Sequence, residues 1–289
     1  MGISKRRAVF FSHKKGDCTA KNPCAILDYI LRKGTIAMST ALYVFSATGN
    51  SLTTARKLTE KLGDTKIIHV SAKKNLPKVK EGAEAVGFVF PVYYGDMPWP
   101  VRELISKMVF ADNAYIFAVM TCRGGEGEAP ARLDALLRSR GMKLSLAQRI
   151  LLPGNSFLNE EAVDAAYLAA QEENTEKLLP AIVNREVHDY HTAEVLPLPP
   201  VAYPNNFRGI MADENCIGCG RCVLVCPMEN IVIKNGHAEI GDDCATCLAC
   251  FHWCPVQAIY MSKQEGIERR RKYHHPDVVF EDILKMKNE

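Results

Sequence analysis

The chain has 289 residues, of which 47% are apolar and 24% charged, which is the composition of an ordinary globular protein. Its length allows two domains and a sizeable core. No apolar run approaches the ~20 residues that a membrane-spanning helix needs, so no membrane insertion is expected. The net charge is +3, but residues 1–37 hold eight Lys or Arg and two Asp or Glu, which leaves 28 basic and 31 acidic residues for the remainder. The remainder of the chain is therefore slightly acidic, which gives no support to a nucleic-acid partner. Because no membrane span is expected, we expect a cytoplasmic location.

Residues 1–38 form a basic leader. Its apolar run, residues 8–11, is too short for the core of a signal peptide. Met38 directly precedes the first predicted strand, so an upstream extension or a misassigned start is the favoured interpretation, and a genuine basic arm is the alternative. Cys18 and Cys24 lie in this leader, not at the spacing of a metal cluster, and we assign them no role.

A predicted strand at residues 42–45 runs through a polar loop into a predicted helix at residues 52–62. Backbone N–H groups and the positive end of a helix dipole can surround an anion in such a loop. Hydroxyl and amide donors and one turn-forming glycine support this interpretation, namely Ser46, Thr48, Gly49, Asn50 and Ser51. The loop matches neither G-x-x-x-x-G-K-[ST] nor G-x-G-x-x-G, which excludes an ATP-type phosphate loop and a dinucleotide-binding turn. A simple helix cap is the alternative.

Two further predicted strands end in loops of unusual composition. Residues 86–90 run into a proline-rich loop with three aromatic side chains at residues 91–100. Residues 113–120 run into a glycine-rich loop at residues 121–127. In a doubly wound parallel sheet the carboxyl ends of such strands lie side by side, and ligands bind there. The aromatic residues could instead belong to the core or to a lid.

Additional strands are predicted at residues 67–70 and 144–152, and a helix at residues 129–140. Alternating strands and helices indicate an α/β fold with a parallel sheet. A long helix is predicted over residues 160–190, with a break near Pro180. Residues 191–210 are rich in proline and are predicted to be a semi-rigid linker.

The region after the linker contains two copies of the pattern C-x2-C-x2-C-x3-C-P, which is the run that binds [4Fe–4S] clusters in bacterial ferredoxins. The first copy is Cys216, Cys219, Cys222 and Cys226, and the second is Cys244, Cys247, Cys250 and Cys254. A zinc ribbon uses pairs of cysteines, and a disulfide framework needs an oxidising compartment, so both alternatives fit less well.

The tail, residues 263–289, holds a basic run at residues 269–272, His274, His275 and a short predicted helix. The basic run could be a solvated surface, dock an acidic partner, or pack against the first domain. The two histidines are expected to be structural.

This segment resembles bacterial two-cluster ferredoxins, in which the fourth cysteine of each run binds the other cluster. By that resemblance, one cluster would take Cys216, Cys219, Cys222 and Cys254, and the other would take Cys244, Cys247, Cys250 and Cys226. The polar loop resembles the FMN-phosphate loop of flavodoxins, and the other two loops resemble their flavin-ring loops. The resemblance implies FMN bound by Ser46, Thr48, Gly49, Asn50, Ser51, Pro91, Val92, Tyr93, Tyr94, Gly95, Thr121, Cys122, Gly124 and Gly125, with Tyr94 or Trp99 stacking on the ring.

Residues 40–262 together resemble bacterial flavodoxin–ferredoxin fusions, also called EFR-type ferredoxins. The expected fold is α/β: a flavodoxin-like doubly wound parallel sheet at residues 39–190, then a small α+β 2[4Fe–4S] ferredoxin-like domain at residues 211–262. This resemblance implies FMN, two [4Fe–4S] clusters, and an anaerobic or facultatively anaerobic setting.

The expected function is electron transfer between FMN, the two clusters and a redox partner protein of unknown identity. No side chain needs to act as an acid or base in that function, so no catalytic residue is predicted. The alternative is a flavin-dependent reductase of a small organic substrate, with Tyr94, Asp96 or Arg123 as candidate proton donors. A redox sensor is a third hypothesis, but no DNA-binding motif supports it.

Overall fold

The structure is a computed structural model that describes residues 39–71, 79–155, 160–192, 209–261 and 271–288. Ala37–Glu289 form one compact unit. The predicted leader and most of the predicted linker lie outside the described residues. Below, the sheet module means residues 39–192, the cysteine module means residues 209–261, and the tail means residues 271–288.

The sheet module is built on five parallel strands in the order β2-β1-β4-β6-β7. The strands are β1 (Thr40–Val44), β2 (Thr65–His69), β4 (Ala85–Pro91), β6 (Tyr115–Cys122) and β7 (Leu146–Leu151). The three central strands are almost continuously apolar and buried, because a parallel sheet has helices on both faces. This strand order is the flavodoxin-like doubly wound order, so the predicted fold class is confirmed.

Short strands and five helices complete the sheet module. Strands β3 (Val79–Glu81) and β5 (Met108–Phe110) form a separate parallel pair. The helices are α1 (Asn50–Leu62), α2 (Trp99–Lys107), α3 (Ala129–Arg138), α4 (Glu161–Ala169) and α5 (Gln171–Val183). Helix α1 packs on the sheet and against α5, while α2 packs against α3. Of the helices in the described ranges, none combines the length and apolar character needed to cross a membrane.

The long helix predicted for residues 160–190 is divided differently from the prediction. Helices α4 and α5 meet at Ala170, and Pro180 lies inside α5 rather than at a break. Pro180 is tolerated there because it is near the end of the helix and removes a single N–H donor. The division falls next to Gln171, whose buried side chain donates hydrogen bonds to two threonine hydroxyls of α1 and so fixes the start of α5.

The cysteine module is a small α+β unit, as predicted. Strands β8 (Ile210–Ala212) and β11 (Ile259–Met261) pair antiparallel, and β9 (Ile231–Lys234) and β10 (His237–Ile240) form a hairpin. Each cysteine run contains a short helix before its last cysteine, α6 (Arg221–Val225) or α7 (Ala249–His252). Apolar side chains and six of the run cysteines pack around one small core.

The tail joins the two modules. Its helix α8 (Phe280–Asn288) contributes Ile283 and Met286 to a crevice that Phe45 and Val70 of the sheet module also line, together with Ala249 of the cysteine module. The guanidinium of Arg221 lies 4.3 Å from the centre of the Phe280 ring. The two modules and the tail therefore share one continuous apolar core.

Gly87 tests how tightly the central sheet is packed. A Cβ atom at this position in β4 would lie 2.5 Å from side-chain atoms of both Leu42 and Phe117. We expect Gly87→Ala to lower the free energy of unfolding by about 1–3 kcal/mol, because overpacking forces side chains out of their preferred rotamers. Gly82→Ala is the matched control, since nothing lies within 4 Å of its added Cβ. Equal unfolding midpoints for the two variants would contradict this packing.

Candidate functional site

An open pocket lies at the carboxyl edge of the sheet, where the loops after β1, β4 and β6 converge. These strands are neighbours and run parallel, so their carboxyl ends meet at this edge. The residues that line the pocket are Ser46, Ala47, Thr48, Asn50, Ser51, Pro91, Val92, Tyr93, Tyr94, Gly95, Thr121, Cys122, Arg123, Gly124, Gly125, Pro153, Gly154, Asn155 and Thr246. All the residues predicted for the flavin loops are among them, except Gly49.

The loop after β1, residues 46–51, is called the phosphate loop below. Its turn is closed by the backbone N–H of Gly49, which donates to Ser46 Oγ at 3.1 Å. Helix α1 begins at Asn50 and has no acidic residue in its first turn, so its positive end faces the pocket uncompensated. Ser51 Oγ lies 2.8 Å from Thr121 Oγ1 and ties this loop to the loop after β6. This arrangement suits an anion bound by amides and hydroxyls.

Gly49 lies on the other side of the loop from the pocket lining. Its φ is +99°, a value that side-chain-bearing residues rarely adopt. A Cβ there would lie 2.8 Å from Val278 and 3.0 Å from His275, both in the tail. The structure therefore shows Gly49 at a close approach between the phosphate loop and the tail.

The aromatic loop after β4 places two tyrosines on the pocket. Tyr93 is buried and meets Phe45 edge-on, with ring centres 6.5 Å apart. Tyr94 is only partly buried and adopts a φ of +54°, so its ring is the accessible one. Trp99, the other stacking candidate, does not line the pocket but packs against Met228 and Ala245 of the cysteine module.

Two of the three candidate proton donors lie on the pocket, and the third does not. Tyr94 and Arg123 line the pocket. Asp96 does not: it is buried and accepts two hydrogen bonds from the guanidinium of Arg102, at 2.9 and 2.7 Å. Among the lining residues that the structure describes, Arg123 is the one with a charged side chain and none is acidic. That lining favours an anionic ligand.

Cys122 lines the pocket but behaves as a small apolar residue. Burial raises the pKa of its thiol to about 11, so the thiol stays protonated at neutral pH. A cysteine of this kind packs as a small buried hydrophobe.

Apart from Ala47, which lies inside the predicted loop, four lining residues escaped the sequence prediction: Pro153, Gly154, Asn155 and Thr246. The first three follow β7, and a signal for them existed, because the fifth strand ends at the same edge of the sheet. Thr246 lies between Cys244 and Cys247, in a segment far along the chain, and nothing local to the sequence indicates its place. Its position depends on how the cysteine module packs on the sheet module.

The second cysteine run touches the pocket through two polar contacts. Asn155 Nδ2 donates to the backbone carbonyl of Cys247 at 2.9 Å. His252 Nε2 lies 2.7 Å from the carbonyl of Asn155, while the backbone N–H of Tyr273 donates to His252 Nδ1 at 3.0 Å. Since Nδ1 accepts, Nε2 carries the proton and the imidazole is neutral.

None of the eight run cysteines forms a disulfide, and electrostatic contacts show which of them lie close together. Burial and, less strongly, the nearby Cys226 together raise the pKa of Cys244 to about 11. Burial also raises the pKa of Cys247 and Cys250, and the charges of neighbouring cysteines, which include Cys226, act in the same direction. Cys226, from the first run, therefore lies with the second run, as the exchange of fourth ligands requires. The assignment of ligands to each cluster, with the exchange of Cys226 and Cys254, stays a prediction.

Crowded, buried thiols resist ionisation unless a cation shares the site, and bound iron supplies that charge. In the first run the pKa of Cys222 is raised to about 11 by burial and, less strongly, by Cys216 and Cys219. Within the described ranges, no three His, Cys, Asp or Glu side chains converge as the ligands of a single metal ion. A cubane cluster has a different geometry, because each of its four thiolates binds a different iron. The run cysteines therefore suit iron–sulfur clusters rather than a single metal ion.

The loop of the first cysteine run approaches the β9–β10 turn closely. Gly218 has a φ of +64°, and a Cβ there would lie 2.4 Å from the carbonyl oxygen of Gly236 in the β9–β10 turn. Backbone N–H groups also point at sulfur: those of Thr246 and Ala258 donate to Cys244 Sγ and Cys254 Sγ, each at 3.3 Å. Such hydrogen bonds to sulfur help to set the potential of a cluster.

Comparison with known proteins assigns the cysteine module. The family described as "4Fe-4S dicluster domain" matches residues 215–266. Over 61 residues the chain is 39% identical to pyruvate synthase subunit PorD of Methanocaldococcus jannaschii, which covers 20% of this chain and 71% of that protein. Over 50 residues it is 38% identical to a ferredoxin of Methanothermococcus thermolithotrophicus, which covers 16% of this chain and 83% of that protein. The chain belongs to the 4Fe-4S dicluster family. Its cysteine module is therefore a ferredoxin-type iron–sulfur domain with two [4Fe–4S] clusters.

Solved structures resemble the sheet module weakly. A flavoprotein in complex with FMN from Lactobacillus acidophilus NCFM has a TM-score of 0.30 and 13% identity, over 39% of this chain and 93% of that one. An FMN-dependent NADH-azoreductase from Bacillus anthracis has a TM-score of 0.33 and 11% identity, over 48% of this chain and 99% of that one. The fold assignment rests on the strand order.

The tail places a cation beside the cluster ligands. Arg271 pairs with Asp164 of α4 at 2.8 Å, and Lys272 Nζ lies 3.0 Å from the centre of the Phe251 ring. Burial lowers the pKa of Lys272 to about 8, an effect that the charges of Cys254 and Cys250 oppose. The ion pair of Arg271 supports the interpretation that the basic run packs against the first domain. Residues 269–270 of that run lie outside the described residues.

We expect Lys272→Met to shift a cluster potential to more negative values, because a nearby positive charge stabilises the more negative reduced state. An interaction of about 1 kcal/mol corresponds to roughly 40 mV for one electron. An anaerobic redox titration followed by electron paramagnetic resonance measures this shift. Lys272→Arg keeps the charge and is the control. An unchanged potential in Lys272→Met, or an equal shift in Lys272→Arg, would contradict this role.

Proposed function

We propose that the protein transfers electrons between FMN, bound in the pocket of the sheet module, and the two [4Fe–4S] clusters of the cysteine module, which exchange them with a redox partner protein. The observation that carries this proposal is that one pocket is lined both by the flavin-type loops and by Thr246, from the loop between Cys244 and Cys247. When bound, FMN exchanges one or two electrons, whereas each cluster exchanges single electrons.

The residues of the pocket support FMN in specific roles. The phosphate loop offers amide and hydroxyl donors and the positive end of α1 to a phosphate. Tyr94 is the accessible ring that can cover an isoalloxazine and exclude water from one of its faces. Gly124 and Gly125 let the backbone of the third loop approach the ligand closely. The described residues of this lining include no Asp or Glu, so none of them repels the phosphate.

The cluster ligands are proposed with the exchange of fourth cysteines, Cys226 with the second run and Cys254 with the first. The second run adjoins the pocket, whereas Cys219 and Ile217 of the first run are exposed, Ile217 to 63%. We therefore place the contact with the partner protein at the first run. A reducing compartment such as the cytoplasm fits this function, because the cysteines must stay available as thiolates.

A reductase acting on a small organic substrate is the second candidate. The openness of the pocket to solvent and the position of Arg123 on its lining favour it. Asp96 does not contribute, since its carboxylate is buried and paired with Arg102. Steady turnover of a quinone or a nitroaromatic compound at the bound flavin would favour this candidate over a carrier.

Cofactor content of the anaerobically purified protein tests the proposal. We expect about eight iron, eight sulfide and one FMN per chain, as two cubanes and one flavin require. Thr48 is buried on the pocket, so Thr48→Arg should fill the phosphate position and lower the FMN content at least tenfold while iron and sulfide stay unchanged. Ser139→Arg adds the same charge at an exposed position after α3 and is the control. Iron and sulfide without FMN, or full FMN in Thr48→Arg, would refute the flavin half of the proposal.

A further inference from the structure

The phosphate loop is bonded on its far side by residues outside the sheet module. Trp253 Nε1 donates to the carbonyl of Ala47 at 2.9 Å. The backbone N–H of His275 donates to the carbonyl of Thr48 at 2.7 Å. Tyr273 Oη donates to Asn50 Oδ1 at 2.6 Å. Three positions of the loop are therefore held by one residue of the second cysteine run and two residues of the tail.

These bonds fix the direction in which the loop presents its donors. In a trans peptide the N–H points opposite to the C=O of the same unit. When Trp253 and His275 hold the carbonyls of Ala47 and Thr48, the N–H groups of Thr48 and Gly49 are turned to the opposite side. That side carries the Ser46 hydroxyl, to which the N–H of Gly49 donates. The hydrogen bonds from Trp253 and His275 thus stabilise the anion-binding conformation of the loop from the side opposite the pocket.

The side chain of Asn50 is held at both ends. Its Oδ1 accepts from Tyr273, and its Nδ2 donates to the carbonyl of Pro153 at 2.8 Å. Asn50 and Tyr273 are both buried, so removal of the tyrosine hydroxyl leaves an amide oxygen without that donor. Asn50 is also the first residue of α1, so this bond acts where the helix dipole meets the pocket.

His275 anchors the same segment of the tail. Its Nε2 lies 2.8 Å from Gln171 Oε1, and its Nδ1 accepts from the backbone N–H of Asp277 at 3.1 Å. The Gln171 amide nitrogen donates to two threonines of α1, so its oxygen is the acceptor for His275 Nε2–H. Burial lowers the pKa of His275 to about 4, which keeps the ring neutral at pH 7. Gly49 then allows His275 and Val278 to approach the loop within van der Waals contact.

We propose that Trp253 and Tyr273 are positioning residues for the flavin phosphate: they hold the phosphate loop in its anion-binding conformation from the cysteine module and the tail. This inference rests on the proposed function, since it takes FMN as the ligand of the pocket. Because Trp253 directly precedes Cys254, the affinity for FMN is coupled to the folded state of the cysteine module, and the coupling is reciprocal.

The test compares the dissociation constants of FMN and riboflavin, measured by flavin fluorescence on the full anaerobic chain. Riboflavin has the same ring but no phosphate. We expect Tyr273→Phe to weaken FMN binding about three- to tenfold, the range for a lost buried hydrogen bond, and to leave riboflavin binding unchanged. Trp253→Phe should have the same selective effect, with wild-type iron and sulfide content.

Tyr260→Phe is the matched control, because its hydroxyl contacts Met211 Sδ in the cysteine module and does not reach the pocket. A variant that merely loosened the structure would weaken FMN and riboflavin to the same extent, and this outcome would overturn the proposal. Unchanged FMN binding in Tyr273→Phe would also overturn it, while leaving the flavin assignment intact. A wild-type chain that binds no FMN would refute both.

Discussion

The hydrogen bond from the Trp253 indole to the Ala47 carbonyl joins the two chemistries of this protein. Trp253 stands between the last two cysteines of the second run, and Ala47 lies in the loop that follows the first strand. The bond is buried, so it forms only when the cysteine module sits at one position on the sheet edge. The same position brings Thr246 to the pocket and Asn155 to the carbonyl of Cys247.

The tail makes that position a stable one. It contributes α8 to the shared core, pairs Arg271 with α4 and Arg56 with Asp282, and stacks His274 on Trp253 with ring centres 4.4 Å apart. The exposed ion pairs contribute little to the stability of this junction. The buried apolar contacts and hydrogen bonds contribute most of it. A carrier that passes electrons between two sites needs a constant separation of those sites, and a packed, bonded junction provides it.

Much of the site could be predicted from local patterns. The buried strands and the polar, aromatic and glycine-rich loops that follow them carry their own signals, and parallel strands must bring those loops to one edge. The cysteine spacing likewise identifies its cofactor. The role of Gly49, the place of Thr246 and the packing of Trp99 could not be predicted, because each depends on contacts between segments far apart in the chain. Helix α5 begins where Gln171 meets α1, a tertiary contact that outweighed the local signal of Pro180.

In the proposed function, flavin and clusters exchange electrons within a single chain. Flash reduction of the bound flavin under anaerobic conditions, followed by optical bleaching of the clusters at several protein concentrations, tests it directly. If the electrons stay within one chain, the clusters are reduced with a rate constant that does not depend on protein concentration. A rate that rises in proportion to protein concentration would show that the electrons pass between molecules and would contradict transfer within one chain.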